Sequence, residues 1–236
     1  MSKYFFVADI HLNPREPKKK ELFINFLDFV KSKKGDLYIL GDCFDYWANN
    51  SRVISENQII LEKFLELTKE KISIKMLFGN RDFLLKSTIL KRFGVDFFGE
   101  EVKINIGDKS LFLTHGHNLC KWDYKFQNYK RRIWPLFRLL DRILPGKFAA
   151  FLAEIFILKS KEVILAQDEK NFIFAEDIIF SYLNQNIDFI ICGHSHRSLI
   201  KEILPGKYFI ILPAWEKGSG GYLLMEDESF KIIDFK

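Results

Sequence analysis

The sequence predicts an α/β protein in which two facing sheets are flanked by helices and interrupted by one helical insertion. Three observations carry that expectation. Up to residue 78, apolar strand-like runs alternate with amphipathic helical spacing, a βαβαβ order that implies a parallel sheet with its ligand site beyond the C-terminal strand edges. From Leu199 onward, four short runs (Leu199–Leu204, Tyr208–Leu212, Tyr222–Met225 and Phe230–Phe235) read as antiparallel strands. Between these regions, from Asn118 to about Asn186, the strand pattern stops.

Taken in order, Tyr4–Ala8 is the first strand and runs into Asp9-Ile10-His11. Leu22, Phe23, Phe26, Leu27 and Val30 recur at helical spacing over 21–32. Strand 37–40 ends in Gly41-Asp42-Cys43-Phe44-Asp45. A second helix is expected over 55–70, with Ile59, Ile60, Phe64, Leu65 and Leu67 inward, before strand 73–78 runs into Gly79-Asn80-Arg81-Asp82. Residues 84–93 read as a short helix, and Val102–Ile106 pairs with Leu111–Thr114 around Gly107-Asp108, ending in His115-Gly116-His117. Helical spacing returns over 175–183, and strand 187–192 ends in Gly193-His194-Ser195-His196. We expect one domain, 1–236, with a helical insertion at about 118–186; a chain of this length can bury a full core without staples.

Cys43, Cys120 and Cys192 lie far apart without paired spacing, which excludes a disulfide framework and a thiolate zinc site, and suits a reducing compartment. Met1-Ser2-Lys3 leads straight into a strand with no signal-peptide succession, so an intracellular protein is expected. The net charge is +5, and its placement matters more than its size. Ten Lys or Arg residues against three acids fall between Lys121 and Lys161, so that segment carries the basicity.

The chemistry sits at five strand ends. An aspartate at such an edge has two oxygens and can bridge two cations, which makes Asp42 the central residue. In Asp9-X-His11, His115-X-His117 and His194-X-His196, alternate residues of an extended segment would face one cavity. Each motif alone is commonly an ordinary turn. Their coincidence is not ordinary, because all five histidines of the chain fall inside these motifs.

Together Asp9-X-His11, Gly41-Asp42-X-X-Asp45, Gly79-Asn80-Arg81-Asp82, His115 and Gly193-His194-X-His196 resemble the calcineurin-like metallophosphoesterase superfamily. The resemblance implies a four-layer αββα sandwich and a dinuclear site. Metal one would take Asp9, His11, Asp42 and His196, and metal two Asp42, Asn80, His115 and His194. Oxygen and nitrogen ligands without thiolate suit two Mn²⁺, with Fe or Zn as alternatives. Two cations sharing Asp42 would acidify a water, orient a phosphate and stabilise an in-line displacement without a covalent intermediate. Asp45 and Asp82 would sit behind the ligands, orienting histidine N–H groups or turn amides, or serve as capping carboxylates.

Arg81 narrows the resemblance. Most of the superfamily has at that position a histidine able to protonate an alkoxide leaving group, whereas an arginine can only bind phosphate. A pyrophosphate, whose leaving group is itself a phosphate, suits such a site. Asn-Arg-Asp at 80–82, Asp-Tyr-Trp at 45–47 and His115-Gly116-X-X-Leu119-Cys120 followed by Asp123 are similar to the UDP-2,3-diacylglucosamine pyrophosphatases of lipid A synthesis. That family releases UMP and the diacylglucosamine 1-phosphate. It implies catalytic roles for Asp42, Asn80, Arg81, His115 and His194, and substrate contacts from Asn80, Arg81, Asp123, Lys170 and His194, with Lys159 and Lys161 as further lysine candidates. The family has an acidic residue where His117 stands, so His117 is either an added polar contact or a loop histidine.

Within the insertion Ile133, Leu136, Phe137, Leu140, Ile143 and Leu144 share one helical face, and Arg131, Arg138 and Arg142 share another. Residues 148–158 are apolar apart from Glu154, too short a run for the roughly 20 residues that span a bilayer. An apolar face with a basic flank suits a lid meeting acyl chains and anionic headgroups; the plainer alternative is that this face packs on the enzyme's own core. A nuclease or another phosphodiesterase is the alternative function, disfavoured because the basic segment interleaves aliphatics rather than stacking residues. The expected partners are a nucleotide-linked lipid and a membrane surface, with no protein partner, and the expected location is cytoplasmic and peripheral on the inner membrane.

Overall fold

Side chains alternate along β1 (Lys3–Val7) and β2 (Asp36–Leu40), sending apolar residues to both faces of the sheet. Phe5, Val7, Leu37 and Ile39 pack on one side, and Phe6, Tyr38 and Leu40 on the other. A sheet covered on both faces needs this composition. The structure, a computed structural model, describes residues 2–120, 124–143, 174–227 and 229–236.

After β1 come α1 (Pro17–Lys33), β2, α2 (Ser51–Glu56), α3 (Gln58–Lys69) and β3 (Ile74–Leu77). Then follow α4 (Ser87–Leu90), a 3-10 turn (Lys91–Phe93), β4 (Val95–Gly99) and the hairpin of β5 (Glu101–Ile106) with β6 (Lys109–Thr114). The chain ends with α5 (Tyr124–Ile143), α6 (Glu176–Leu183), β7 (Phe189–Cys192), β8 (Leu199–Leu204), β9 (Lys207–Ile211), β10 (Gly220–Glu226) and β11 (Ser229–Phe235). One sheet has the order β11-β10-β1-β2-β3-β4, with β1 to β4 parallel; the other has the order β5-β6-β7-β9-β8, with β6, β7 and β9 parallel.

Three cores bind four layers. Phe23, Phe26, Val30, Ile60 and Phe64 of α1 and α3 cover the outer face of the first sheet. Phe6, Tyr38, Leu40 and Leu77 meet Leu111, Leu113, Phe189 and Ile191 between the sheets, and Ile179 and Leu183 of α6 cover Phe112, Ile190 and Phe209 on the far side. Each fully buried residue of this kind contributes roughly 1.5–3 kcal/mol, so the helix–sheet–sheet–helix order is held mainly by burial. The many phenylalanines gather in an aromatic knot where Phe26 meets Phe5, Phe23, Trp215, Tyr222 and Phe235 at centroid distances of 5.3–6.4 Å.

Several boundaries differ from the sequence expectation. Helix α1 starts earlier because Pro17 occupies its first turn, where a missing N–H costs nothing. The single helix expected over 55–70 is two. Asn57 closes α2 and opens α3, its buried side chain donating from Nδ2 to Val53 O at 2.9 Å. The bend turns Ile59 outward, 60% exposed, and brings Leu61 inward instead. Strand β4 was absent from the expectation; its alternation of Val95 and Phe97 across Asp96 is too short to stand out. The closing antiparallel run divides: β8 and β9 belong to one sheet, β10 and β11 to the other. Of the span expected as an insertion, α6 forms the fourth layer, while α5 stands at the side of Phe78 and Phe83.

Candidate metal centre

Parallel strands aligned in one direction put Asp9, Asp42 and Asn80 just past the C-terminal ends of β1, β2 and β3, and His115 and His194 past β6 and β7. Backbone bonds then lace the strand ends together: His11 N donates to Asp42 O (2.9 Å), Gly193 N to His115 O (2.9 Å) and Trp215 N to Asp9 O (3.0 Å). His194 N also donates to Asp9 Oδ2 (2.7 Å), which joins the end of β7 in the second sheet to the end of β1 in the first.

The convergence does not come from extended alternation. Asp9, His11, Asp42, His194 and His196 have φ of 53°, 51°, 50°, 74° and 57°, in the left-handed region. Each such residue costs on the order of 1 kcal/mol, and strain of this kind gathers at functional sites. Two glycines make the close approach feasible. A Cβ on Gly79 would lie 2.1 Å from Asp42 Oδ1, and one on Gly193 would lie 2.3 Å from Asp9 Oδ2.

The structure brings together all seven residues expected as ligands. Asp9 Oδ1 is 3.8 Å from His11 Nε2, 3.6 Å from His196 Nε2 and 3.9 Å from His115 Nε2. Asp42 Oδ2 faces both His115 (3.4 Å) and His11 (3.9 Å), and His11 Nε2 is 3.3 Å from His196 Nε2. Asn80 Oδ1 lies 2.9 Å from His115 Nε2 and 3.2 Å from His194 Nδ1. Two overlapping groups, Asp9-His11-His196 and Asp9-Asp42-His115, have ligand atoms close enough to share a cation.

These residues fit a metal pair on physical grounds. Asp9 and Asp42 are buried carboxylates, and Asp9 Oδ1 has no hydrogen-bond partner although three histidine nitrogens surround it. A buried charge left in this way is costly unless a cation takes it up. Burial lowers the pKa of His11 and of His194, leaving neutral nitrogen donors. Burial opposes charge on His115 as well, but the facing Asp42 carboxylate outweighs it and raises His115 to about 9. Burial also opposes charge on Asp42, yet His115 and Arg81 hold its carboxyl well below the usual range.

Other expected residues take distinct places. Arg81 is half-buried, its backbone N donating to Asp42 Oδ1 (2.8 Å) and its charge acting on Asp42 and His11. Asp82 is fully buried and accepts from the amides of Gly79 (2.7 Å), Cys43 (2.9 Å), Asp42 (3.3 Å) and Phe44 (3.3 Å), so it ties the β2 and β3 turns together. Burial and the neighbouring Asp42 push its pKa up to about 7. Asp45 accepts from Asn13 Nδ2 at 2.9 Å. His117 is no loose loop residue: it is buried, and its Nε2 meets Glu100 Oε1 at 2.6 Å. Asp123, Lys159, Lys161, Lys170, Leu144 and the apolar run 148–158 lie outside the described residues.

In α5, Trp134 is buried and Phe137 half-buried against the core, while Leu136 and Leu139 are 48% and 52% exposed. Of the face expected to be uniform, Ile133 and Phe137 are half-buried and Leu136 is exposed, so that face is split. Arg138 is exposed, as expected of the basic flank, and its guanidinium lies over Phe78 and Trp134 at 5.6 and 5.9 Å. Among the described residues no helix is long and apolar enough to cross a membrane.

Residues 2–198 match the family model of the calcineurin-like phosphoesterases. This chain belongs to that family. Among its relatives, the UDP-2,3-diacylglucosamine hydrolase of Coxiella burnetii (strain RSA 331 / Henzerling II) is 31% identical, covering 100% of this chain and 99% of its own. The proteins of that name from Photorhabdus laumondii subsp. laumondii and Histophilus somni (strain 2336) are each 29% identical, covering 98% and 91% of this chain and 98% and 93% of their own. A dimetal phosphatase from Danio rerio shares the fold at a TM-score of 0.57 and 12% identity, covering 99% of this chain and 96% of its own.

Proposed function

We propose that this calcineurin-like phosphoesterase hydrolyses the pyrophosphate bond of UDP-2,3-diacylglucosamine, giving UMP and 2,3-diacylglucosamine 1-phosphate. The observation that carries the reading is Asp9 Oδ1, buried and partnerless among three histidine nitrogens in a family member whose full-length relatives bear that substrate's name. Asp9, His11, Asp42 and His196 would hold one metal ion, and Asp42, Asn80, His115 and His194 the other, which we take to be Mn²⁺ with Fe or Zn as alternatives. When bound, the ions supply a water of lowered pKa and positive charge at the phosphate.

The chain's own residues do the rest. Asp42 faces both His11 and His115 and is fixed by the Arg81 amide, so it holds its position as charge develops. Asn80 and His194 contact each other and would steady a phosphate oxygen. Arg81 offers a guanidinium fork to a phosphate, and a phosphate leaving group needs no proton from it. Beside α5 a cleft of about 400 Å³ lined by Phe78, Phe83, Leu84, Leu85 and Phe97, with Lys86 and Arg138 also in its lining, suits an acyl chain. Exposed Leu136 and Leu139 with Arg131 and Arg132 nearby support contact with an anionic membrane surface, and so a peripheral cytoplasmic location at the inner membrane.

The test is product analysis with UDP-2,3-diacylglucosamine and Mn²⁺. UMP and the lipid 1-phosphate in equal amounts support the proposal; an intact lipid beside efficient cleavage of DNA, RNA or simple phosphodiesters would overturn it.

A further inference from the structure

Glu100 stands where the chain passes from β4 in one sheet to β5 in the other. Its Oε1 accepts from His117 Nε2 (2.6 Å), Asn118 Nδ2 (2.7 Å) and the Lys130 ammonium, and Lys130 donates also to Asn118 Oδ1 (2.6 Å). These partners come from two places: His117 and Asn118 from the turn after β6 that begins with His115, and Lys130 from α5. The His117 ring is wedged among His115, His194 and Trp134, at centroid distances of 5.5, 6.1 and 5.7 Å. Trp134 itself stacks on Phe83 at 4.4 Å, and Lys130 lies over the Trp134 ring at 5.0 Å.

We propose that Glu100 is a positioning residue: through Lys130 and His117 it fixes helix α5 to the turn carrying His115, so that this helix and the histidine side of the site move as one unit. Burying His117 and half-burying Glu100 and Lys130 carries a desolvation cost that apolar residues of similar size would avoid, so the cluster is poorly explained by stability alone. What it supplies is direction. Trp134 packing tolerates sliding along Phe83, whereas one carboxylate shared between a helix lysine and a turn histidine defines a single register. The hub is set on the junction where β4 of one sheet leads into β5 of the other.

The inference rests on the proposed function only for its choice of lipid substrate. The test uses the full Mn²⁺-loaded chain and the variants Lys130→Met, Lys130→Arg and Glu100→Gln, compared by hydrogen exchange, metal content and kinetics. In Lys130→Met and Glu100→Gln, amide exchange over residues 124–143 should accelerate about tenfold while that over Pro17–Lys33 stays unchanged. The same two variants should lose about tenfold in kcat on UDP-2,3-diacylglucosamine, with KM within about twofold and metal content retained. Lys130→Arg, which keeps the charge and a donor, should restore most of both. Unaltered exchange over 124–143, acceleration shared equally with Pro17–Lys33, or an arginine variant no better than methionine would overturn the proposal. If the parent does not cleave UDP-2,3-diacylglucosamine, the substrate reading fails, and the exchange data decide the role of Glu100 by themselves.

Discussion

Single atoms decide most at the metal centre. Gly79 leaves no room for a methyl group, whose carbon would lie 2.1 Å from Asp42 Oδ1. Gly79→Ala must displace either the β3 turn or the Asp42 carboxylate, so it should lower metal content and activity together and cost about 1–3 kcal/mol in thermal unfolding. Arg81 gives a contrasting outcome, because the hydrogen bond that places Asp42 comes from its backbone amide, which substitution preserves, and only the charge of its side chain is lost. Arg81→Ala should keep its metal and lose about tenfold or more in kcat/KM on the pyrophosphate, as expected for loss of a charged contact to phosphate. Loss of metal in that variant would make the side chain a support of the site instead. The residues that meet here were legible in the sequence because each motif is local, a strand ending in a turn with ligand-type side chains. The way they meet was not. Left-handed φ at Asp9, His11, Asp42, His194 and His196 depends on bonds between strand ends that are distant in sequence, and residue type does not announce it.

Helices and strands were legible where apolar spacing was long enough to define a face. α1 and the first three strands show this, since Phe23, Phe26, Leu27 and Val30 repeat over a long helix. The break at Asn57 was hidden because Ile59, Ile60 and Leu61 are adjacent apolar residues, any of which could face inward until the bend is known. Helix α5 has a different lesson: the expected apolar stripe is divided, Ile133 and Phe137 half-buried and Leu136 outward, while Trp134 beside it is buried and Leu139 exposed. Leu136→Glu combined with Leu139→Glu should therefore leave folding and hydrolysis of a small chromogenic phosphodiester intact while weakening binding to anionic vesicles by about tenfold or more. Equal losses in every assay would assign this face to packing. The anchor of α5 predicts an acid response as well. Burial works against the charge of Glu100, but the hydrogen bond from His117 and the Lys130 ammonium hold its carboxyl down at about 2. Because this pKa is depressed on folding, its stabilisation is complete above the unfolded value of about 4.3 and is lost as pH falls toward 2. Glu100→Gln should remove that part of the acid dependence, on the order of 1–2 kcal/mol after allowance for partial exposure, as read from denaturant unfolding between pH 5 and 2.

At the scale of the whole molecule, two sheets are packed so that their C-terminal edges coincide, and carboxylates from one sheet meet histidines from the other. The first sheet supplies Asp9, Asp42 and Asn80 and the second His115 and His194, so the site exists only when both sheets are in register. Buried Asp9 and Asp42 without a cation oppose that packing, and cations shared between the sheets would reverse the penalty. Metal should accordingly raise the unfolding temperature, and its removal by chelation should lower it without changing the strand order. The most direct measurement is metal content per chain, by elemental analysis of the parent, Asp42→Ala and His196→Ala after loading with Mn²⁺ and exhaustive dialysis. A dinuclear centre shared through Asp42 predicts two ions in the parent, close to none in Asp42→Ala and about one in His196→Ala. A parent that retains no metal, or an Asp42→Ala variant that retains as much as the parent, would contradict it.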